Sequence, residues 1–305
     1  MAIVPTNEPM TSQLAVQTVE RLAQEYPFIR TELLATTAFG RPIWAMAIGT
    51  GPRRVIYSAA HHANEWITSP VLLKFAEDYA QAIREDGSIF DRPARALATS
   101  ATVYIVPMVN PDGVDLVTGV LQPGDEQYER ALGFARNYTN IPFPEGWKAN
   151  LNGVDLNLQY PAGWLMAREI KFRQGYTQPG PRDYVGRSPL SQIESQALYD
   201  YTERIDPDAV LAYHSQGRVI YYQYGGIEVP GAQDLADRFA RVSGYALEET
   251  PYQSSFAGYK DWFIQRFRRP GFTIEVGSGT NPLPLSQFDG IYRDNLGILV
   301  TAAEG

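Results

Sequence analysis

Apolar residues along the chain alternate between stretches with helical spacing and short runs that are typical of strands. Helical spacing predicts helices at 11–26, 69–83, 191–205, 231–243 and 285–303. Short apolar runs predict strands at 32–37, 43–48, 55–59, 101–109, 208–213, 219–224 and 271–276. This alternation predicts an α/β fold with a single domain, whose mixed, mostly parallel twisted sheet has helices on both faces.

The segments between these elements carry weaker signals. Ser191 to Glu194 reads as a capping box at the start of a helix. The tetrapeptide Asn110-Pro111-Asp112-Gly113 is typical of a turn, and 114–190 is rich in Gly, Pro, Asn and aromatic residues, which indicates long ordered loops. Residues 1–10 are expected to be an N-terminal tail or a trimmed linker, and 11–305 the folded domain.

Composition excludes several classes of function. The 305 residues are 44% hydrophobic, enough for a large core, yet no run of 18 apolar residues predicts a membrane span. The N-terminus has neither the basic start nor the apolar core of a signal peptide. The absence of cysteine rules out disulfides and thiolate metal sites, and the net charge of −8 argues against a nucleic-acid partner.

The chain contains only three histidines, and their positions suggest a metal site. His61 and His62 precede Glu65, while His214 ends the apolar run 209–213. Imidazole and carboxylate are ligands that zinc prefers, and a catalytic zinc site needs three protein ligands with a fourth position open. His62 and Glu65 can converge on one ion, but His61 and Glu65 also lie on one helical face, so spacing leaves that choice open. Glu275 is an acid within a strand-like run, as a general base beside a metal would be.

An ordered series of motifs resembles the zinc metallocarboxypeptidase family from about residue 10 to the C-terminus. The motifs are His61-His62-Ala63-Asn64-Glu65-Trp66-Ile67-Thr68, Asn110-Pro111-Asp112-Gly113, Gly153-Val154-Asp155-Leu156-Asn157, His214-Ser215 and Glu275. Within that family the chain looks closest to the bacterial γ-D-glutamyl-L-diamino acid endopeptidases, which cut peptidoglycan stem peptides. The segments that carry this second resemblance are Ala60 to Thr68, Trp147-Lys148-Ala149-Asn150, Gly153 to Pro161 and Gly258-Tyr259-Lys260-Asp261-Trp262.

The resemblance implies a role for each residue of the metal site. It selects His62, with Glu65 and His214, as the protein ligands of one zinc ion per chain, with water as the fourth ligand. Asp155 would accept a hydrogen bond from the other ring nitrogen of His62 and so determine its tautomer. Glu275 follows Trp262 by thirteen residues, as the family's general base does. The alternative for Glu275 is a buried ion pair with Arg266 or Arg268.

Two further catalytic roles follow from the same resemblance. Lys148, after Trp147, stands where the family carries an arginine that stabilises the oxyanion of the tetrahedral intermediate. Lysine lacks the bidentate fork of arginine but can still stabilise one oxyanion. Tyr252 corresponds to a mobile tyrosine that closes over the substrate, although one residue is inserted before Asp261, and Tyr259 competes for that role.

Departures from the family indicate the substrate. Exopeptidases of the family clamp the free C-terminal carboxylate with an Asn-Arg pair, whereas here Asn157 is followed by Leu158, which cannot make that contact. Lys260 corresponds to the base of the pocket for the residue after the scissile bond, where a lysine favours a carboxylate. Meso-diaminopimelate carries such a distal carboxylate, and its proximal carboxyl can be free or amide-linked. The alternative is that Lys260 points to solvent.

The expected function is hydrolysis of the γ-D-glutamyl–diaminopimelate bond by metal-activated water, with stem peptides or muropeptides as partners. One alternative is a carboxypeptidase that releases C-terminal residues with acidic side chains and uses another carboxylate clamp. A second is a muropeptide-binding protein without activity, against which the intact set of His62, Glu65, His214 and Glu275 argues. The sequence leaves open the oligomeric state, and whether the protein is cytoplasmic or, if upstream sequence was trimmed, associated with the cell wall.

Overall fold

The computed structural model describes residues 2–305, which form an eight-stranded sheet flanked by helices. The strands are β1 (Arg30–Thr36), β2 (Pro42–Gly49), β3 (Arg53–Ala59), β4 (Ser88–Ile89), β5 (Arg92–Pro93), β6 (Ala101–Val106), β7 (Ala209–Ser215), β8 (Val219–Tyr221), β9 (Ala246–Leu247) and β10 (Gly271–Val276). The helices are α1 (Ser12–Glu25), α2 (Thr68–Arg84), α3 (Ala94–Ser100), α4 (Pro111–Val117), α5 (Glu126–Ala135), α6 (Trp164–Arg173), α7 (Ile193–Ile205), α8 (Ala232–Ser243), α9 (Tyr259–Phe267) and α10 (Phe288–Glu304).

Strand order confirms the predicted mixed sheet. The order is β1-β2-β6-β3-β7-β10-β8-β9, and β4 and β5 form a separate two-stranded ladder. The four central strands β6, β3, β7 and β10 run parallel. The β1–β2, β2–β6 and β10–β8 pairs are antiparallel, whereas β8 and β9 pair in parallel. Parallel strands bring their carboxyl ends to one edge, which is where open α/β sheets bind ligands.

Both faces of the sheet are covered, because successive strand residues point to opposite sides. In β7, Leu211 and Tyr213 belong to the core beneath α1, α2, α8 and α10, whereas Val210 and Ala212 belong to the core beneath α7 and α9. The central strands are therefore apolar on both sides, as the sequence of 209–213 predicts. Within residues 2–305, no helix combines the length and the apolar character needed to cross a bilayer.

The N-terminal segment was expected to be a tail or linker, but it packs on the domain. Ile3, Val4 and Met10 are buried in the main core, and the backbone N–H of Ile3 donates to Oε1 of Glu77 at 2.5 Å. The segment is held by its apolar side chains at these three positions. Three such positions are too few to establish a helical or strand spacing, so the sequence pattern did not predict this packing.

Three local expectations differ from the structure. Asn110 does not begin an isolated turn but caps α4, accepting a hydrogen bond from the Gly113 N–H. The predicted loop region 114–190 contains α5 and α6 as well as most of α4. No side chain caps α7, because the Ser191 hydroxyl donates to Gln159 and Glu194 accepts from Asn150. Only the third difference arises because side chains find partners that are distant in sequence.

Candidate active site

Three side chains from separate parts of the chain meet at the carboxyl edge of the sheet. His62 follows β3, Glu65 ends the short 3₁₀ helix Ala63–Glu65, and His214 lies in β7. Nδ1 of His62 lies 3.0 Å from Oε1 of Glu65, Nδ1 of His214 lies 2.9 Å from Oε2, and the two Nδ1 atoms are 3.2 Å apart. All three residues are buried, and one ligand atom from each lies within 4.8 Å of the others.

The hydrogen-bond pattern of His62 fits a bound cation. Its Nε2 lies 3.1 Å from the carboxylate oxygen of Asp155, an arrangement that needs a proton on Nε2. In the neutral ring the Nδ1 lone pair then faces Oε1 of Glu65, which is another acceptor. Burial disfavours a charge on His62, but the carboxylates of Glu65 and Asp155 raise its pKa to about 9 in the absence of metal. A metal ion among these atoms meets the same demand for positive charge, and the donor set suits zinc.

The structure separates the two adjacent histidines. Nε2 of His61 lies 3.2 Å from the hydroxyl of Tyr160, and the ring stacks on His214 at a centroid distance of 5.5 Å. Burial holds the pKa of His61 well below its usual value, so the ring is neutral. His61 is therefore a core residue, and His62 is the histidine that meets Glu65.

Asp155 lies beside the cluster and contacts His62. It precedes the 3₁₀ helix Leu156–Leu158, and its Oδ1 accepts from the Asn157 N–H at 3.1 Å as well as from His62. Its Oδ2 accepts from the Asp183 N–H at 3.2 Å. Burial alone would raise the pKa of Asp155, but the charge of His62 outweighs it and holds the pKa well below the usual value. The carboxylate is thus ionised and held in position for the imidazole.

Glu275 faces this cluster from the next parallel strand. It is the register partner of His214 in the β10–β7 ladder, and its half-buried side chain lines the cavity at the strand ends. Burial and the nearby Glu65 carboxylate raise the pKa of Glu275 to about 8. Arg266 pairs with Glu203 instead, and nothing in residues 2–305 forms a salt bridge with Glu275. The ion-pair alternative for Glu275 therefore has no support in the geometry.

Lys148 approaches the same cluster from the loop before Asp155. Its Nζ lies 2.9 Å from Oε1 of Glu65, and the side chain is mostly buried. Burial opposes its charge, but Glu65 raises the pKa of Lys148 above the usual value. A fixed ammonium group therefore lies within the site.

The two candidate capping tyrosines occupy different environments. Tyr252 lies in the 3₁₀ turn Tyr252–Ser254, is 65% exposed, and packs its ring edge against Phe256. Tyr259 is fully buried between Tyr160 and Trp262, and its hydroxyl lies 2.7 Å from that of Thr202. Neither tyrosine lines the cavity, but Tyr252 is exposed beside the lining residues Pro251 and Ser254, whereas Tyr259 is a packing residue.

The substrate-side candidates line a cavity of about 230 Å³ together with His62, Lys148 and Glu275. Asn157 accepts a hydrogen bond from the Tyr259 N–H at 3.0 Å, and Leu158 beside it is buried. Lys260 is only 4% exposed, and its Nζ donates to Gln223 O at 2.7 Å and to Asp261 at 2.5 Å. Lys260 therefore lies at the cavity wall and does not point to solvent.

Sequence analysis did not identify several polar residues at this cavity. They are Lys171, Arg182, Asp183 and Asp261. Lys171 and Arg182 both pair with Asp183, and the Lys171–Asp183 pair joins residues from separate segments that no periodic pattern relates. The only available signal was Asp261, which immediately follows Lys260 and forms its ion pair.

A buried amide–carboxyl pair supports the loop that carries Lys148 and Asp155. Oδ1 of Asn150 accepts from the Asn152 and Val154 N–H groups, and Nδ2 donates to Glu194 at 3.0 Å. Burial raises the pKa of Glu194 to about 7. Because Asn150 is two residues from Lys148, this pair links α7 to the active-site loop.

We expect the Glu194 carboxyl to make stability depend on pH. Its folded pKa exceeds its ordinary unfolded value, so folding favours the protonated form; this stabilisation is full below the unfolded pKa and is lost as the pH rises through about 7. The Tm of Glu194→Gln should therefore fall less than that of the wild type between pH 5 and pH 8. Thermal unfolding across that range checks it, with Glu20→Gln, at an exposed glutamate of α1, as control. Parallel Tm profiles for Glu194→Gln and the wild type would contradict the prediction.

Comparisons with known proteins agree with this geometry. Residues 15–297 match the family model described as zinc carboxypeptidase. The chain is 45% identical over 282 residues to γ-D-glutamyl-L-diamino acid endopeptidase 1 of Lysinibacillus sphaericus, an alignment that covers 92% of this chain and 69% of the relative.

Solved structures share the fold at low identity. Carboxypeptidase A of Helicoverpa armigera superposes with a TM-score of 0.71 at 21% identity, over 99% of this chain and 75% of that one. Bovine thrombin-activatable fibrinolysis inhibitor, solved with a tick carboxypeptidase inhibitor, gives 0.72 at 15% identity, over 98% and 97%. With the family model and the 45% relative, the His-Glu-His cluster at the strand ends leads to one conclusion: the chain belongs to the zinc carboxypeptidase family.

Proposed function

We propose that this protein is a zinc peptidase that hydrolyses the γ-D-glutamyl–diaminopimelate bond of peptidoglycan stem peptides. The observation that carries the proposal is the buried cluster of His62, Glu65 and His214, which opens on a cavity lined by Glu275. The 45% identity to a γ-D-glutamyl-L-diamino acid endopeptidase supports the choice of bond.

The cluster would hold one zinc ion per chain. His62 and His214 would bind it through Nδ1 and Glu65 through its carboxylate, while Asp155 keeps the proton of His62 on Nε2. Zinc in such a site supplies Lewis-acid polarisation and makes water acidic enough to lose a proton near neutral pH.

Glu275 would act as the general base and then as the acid. Its carboxylate takes the proton of the attacking water and delivers it to the amine that leaves. The position of Glu275 beside His214 supports this role, because both side chains emerge at the carboxyl ends of adjacent parallel strands. Among residues 2–305, no other glutamate lines this cavity.

Lys148 would stabilise the negative charge that develops on the carbonyl oxygen. A mostly buried ammonium within the site costs little reorganisation when that charge forms. Tyr252 would close over the bound substrate from the rim, consistent with its exposed side chain.

Asn157, Leu158 and Lys260 would determine which peptide fits. Leu158 provides no charge for a free C-terminus, so a residue after diaminopimelate is tolerated. Lys260 uses two of its three N–H donors on Gln223 O and Asp261, which leaves one for the distal carboxylate of diaminopimelate.

We expect wild-type protein to prefer diaminopimelate over lysine at this position. Losing a partly desolvated charge pair costs about 2–5 kcal/mol, and the existing Asp261 pair places Lys260 at the lower end. Matched peptides should thus differ by roughly 30-fold in kcat/KM, and Lys260→Met should remove the difference. Steady-state kinetics measure both values.

A matched control separates this effect from damage to the fold. Lys260→Met strands the buried Asp261 carboxylate, so Lys260→Met/Asp261→Asn is measured alongside, together with the Tm of each variant. If the double variant retains the preference for diaminopimelate, Lys260 does not read the distal carboxylate.

Digestion of defined muropeptides, read by mass spectrometry, tests the function itself. Cleavage between D-glutamate and diaminopimelate, including in peptides with a D-alanine after diaminopimelate, supports the proposal. Release of only a free C-terminal residue would instead favour the carboxypeptidase alternative. Binding without any product, in protein with full zinc occupancy, would favour the non-catalytic alternative.

A further inference from the structure

Lys171 of α6 and Arg182 of the segment 181–183 form a cationic wall of the cavity. The backbone N–H groups of Lys148 and Ala149 both donate to Pro181 O, at 2.7 and 2.9 Å. The Asp183 N–H donates to Oδ2 of Asp155 at 3.2 Å. These contacts attach Arg182 to the loops that carry the oxyanion and imidazole-supporting residues.

Arg182 shares its counterion with another cation. Its Nε donates to Oδ2 of Asp183 at 2.6 Å, and Nζ of Lys171 lies 2.6 Å from Oδ1 of the same carboxylate. Lys171 and Asp183 are both buried. Lys171 and Arg182 therefore share one directly bonded carboxylate, and Asp155, which is bonded to the Asp183 N–H, is the other carboxylate near Arg182.

Arg182 has two terminal guanidinium nitrogens that are available to a ligand. Its side chain is 41% exposed and lines the cavity, and neither terminal nitrogen has an acceptor among residues 2–305. By contrast, Lys148 pairs with Glu65, Lys171 with Asp183 and Lys260 with Asp261. Nε is held by Asp183, so the guanidinium plane is oriented before a ligand arrives, and its terminal nitrogens can form a charge-assisted pair of hydrogen bonds with a carboxylate.

We propose that Arg182 is a specificity-determining residue that binds a carboxylate of the substrate. It would supply a bidentate contact that Leu158, next to Asn157, cannot make. The inference rests on the proposed function, because a stem tripeptide offers three carboxylates: on the α-carbon of the γ-linked D-glutamate, on the proximal carbon of diaminopimelate and on its distal carbon.

The test combines Arg182→Gln with a panel of four tripeptides. One is the parent L-Ala-γ-D-Glu-diaminopimelate, and each of the others has one of the three carboxylates converted to a carboxamide. We expect Arg182→Gln to lower kcat/KM on the parent by about 10–100-fold, the range for a hydrogen bond to a charged group. The loss should appear mainly in KM, because the contact exists in both ground and transition states.

The panel also identifies the carboxylate. On one of the amidated peptides wild type and Arg182→Gln should become equal, and that peptide names the partner of Arg182. Arg182→Lys should recover only part of the activity, since lysine keeps the charge without the fork. Arg173→Gln, which removes an exposed arginine of α6 paired with Glu169, serves as the matched control and should behave as wild type.

Binding provides a readout that does not depend on turnover. Calorimetry compares peptide binding by Glu275→Gln and by Glu275→Gln/Arg182→Gln. The double variant should bind the parent peptide more weakly, by the factor found in kcat/KM. Both variants should bind equally well the peptide in which the carboxylate that contacts Arg182 is amidated. Equal affinities, or an equal loss on all four peptides, would overturn the role of Arg182. A wild type that cleaves none of the panel would instead overturn the proposed function, while the binding comparison would still decide the carboxylate contact.

Discussion

Glu275→Gln is expected to keep its fold and its zinc but to lose nearly all turnover. Glutamine has the shape of glutamate but cannot accept the proton of the attacking water, and loss of a general base lowers kcat by about 10²–10⁴-fold. The side chain forms no salt bridge in residues 2–305, so its replacement breaks no ion pair. Initial rates on a muropeptide substrate, zinc content and Tm together measure the effect.

Glu249→Gln is the matched control for this prediction. Glu249 lines a neighbouring cavity of about 480 Å³ but not the cavity that contains His62 and His214. Its replacement should leave kcat nearly unchanged. If Glu275→Gln instead turned over at a near-normal rate and Glu249→Gln did not, the general base would be Glu249.

His214→Ala is expected to lose its zinc. The substitution removes one of three protein ligands. The affinity for zinc should therefore fall by more than the roughly 10–100-fold that is typical when a residue hydrogen-bonded to a metal ligand is replaced. It also leaves Glu65 without one of its buried hydrogen-bond partners. Elemental analysis after dialysis, expressed as zinc per chain, should give about one for the wild type and far less for the variant.

The adjacent histidine provides the control for metal binding. His61 contacts Tyr160 and stacks on His214 but does not face Glu65, so His61→Gln should retain zinc even where its Tm falls. Full zinc occupancy in His214→Ala would remove His214 from the ligand set. Loss of zinc in His61→Gln with retention in His62→Gln would exchange the two histidines.

The sequence determined the architecture and the chemistry of the site to a large extent. The spacing of apolar residues that distinguishes helices from strands is a local property of the sequence. Buried parallel strands such as β7 are continuous apolar runs, so the fold class could be predicted. The scarcity of histidine and the absence of cysteine limited the metal ligands to a few side chains. The site motifs also drew attention to Asp155 and Glu275, because both belong to short, recognisable segments, and the fold brings Asp155 to His62 and Glu275 beside His214.

Only the tertiary structure decided which partner each polar side chain meets. Spacing allowed either His61 or His62 to face Glu65, and the fold directs His61 to Tyr160. Burial among aromatic rings decided that Tyr259 packs while Tyr252 stays exposed.

Tertiary packing also decided the contacts of the cationic wall and of the segment 191–194, which the sequence predicted to be a capping box. Arg182 and Lys171 meet on Asp183, and Glu194 bonds Asn150 rather than its own helix end. The Lys171–Asp183 and Asn150–Glu194 contacts join residues from different segments, and only the packed backbone brings these side chains together. The sequence by itself therefore determined the elements and the reactive groups, and the packing of distant segments decided their partners.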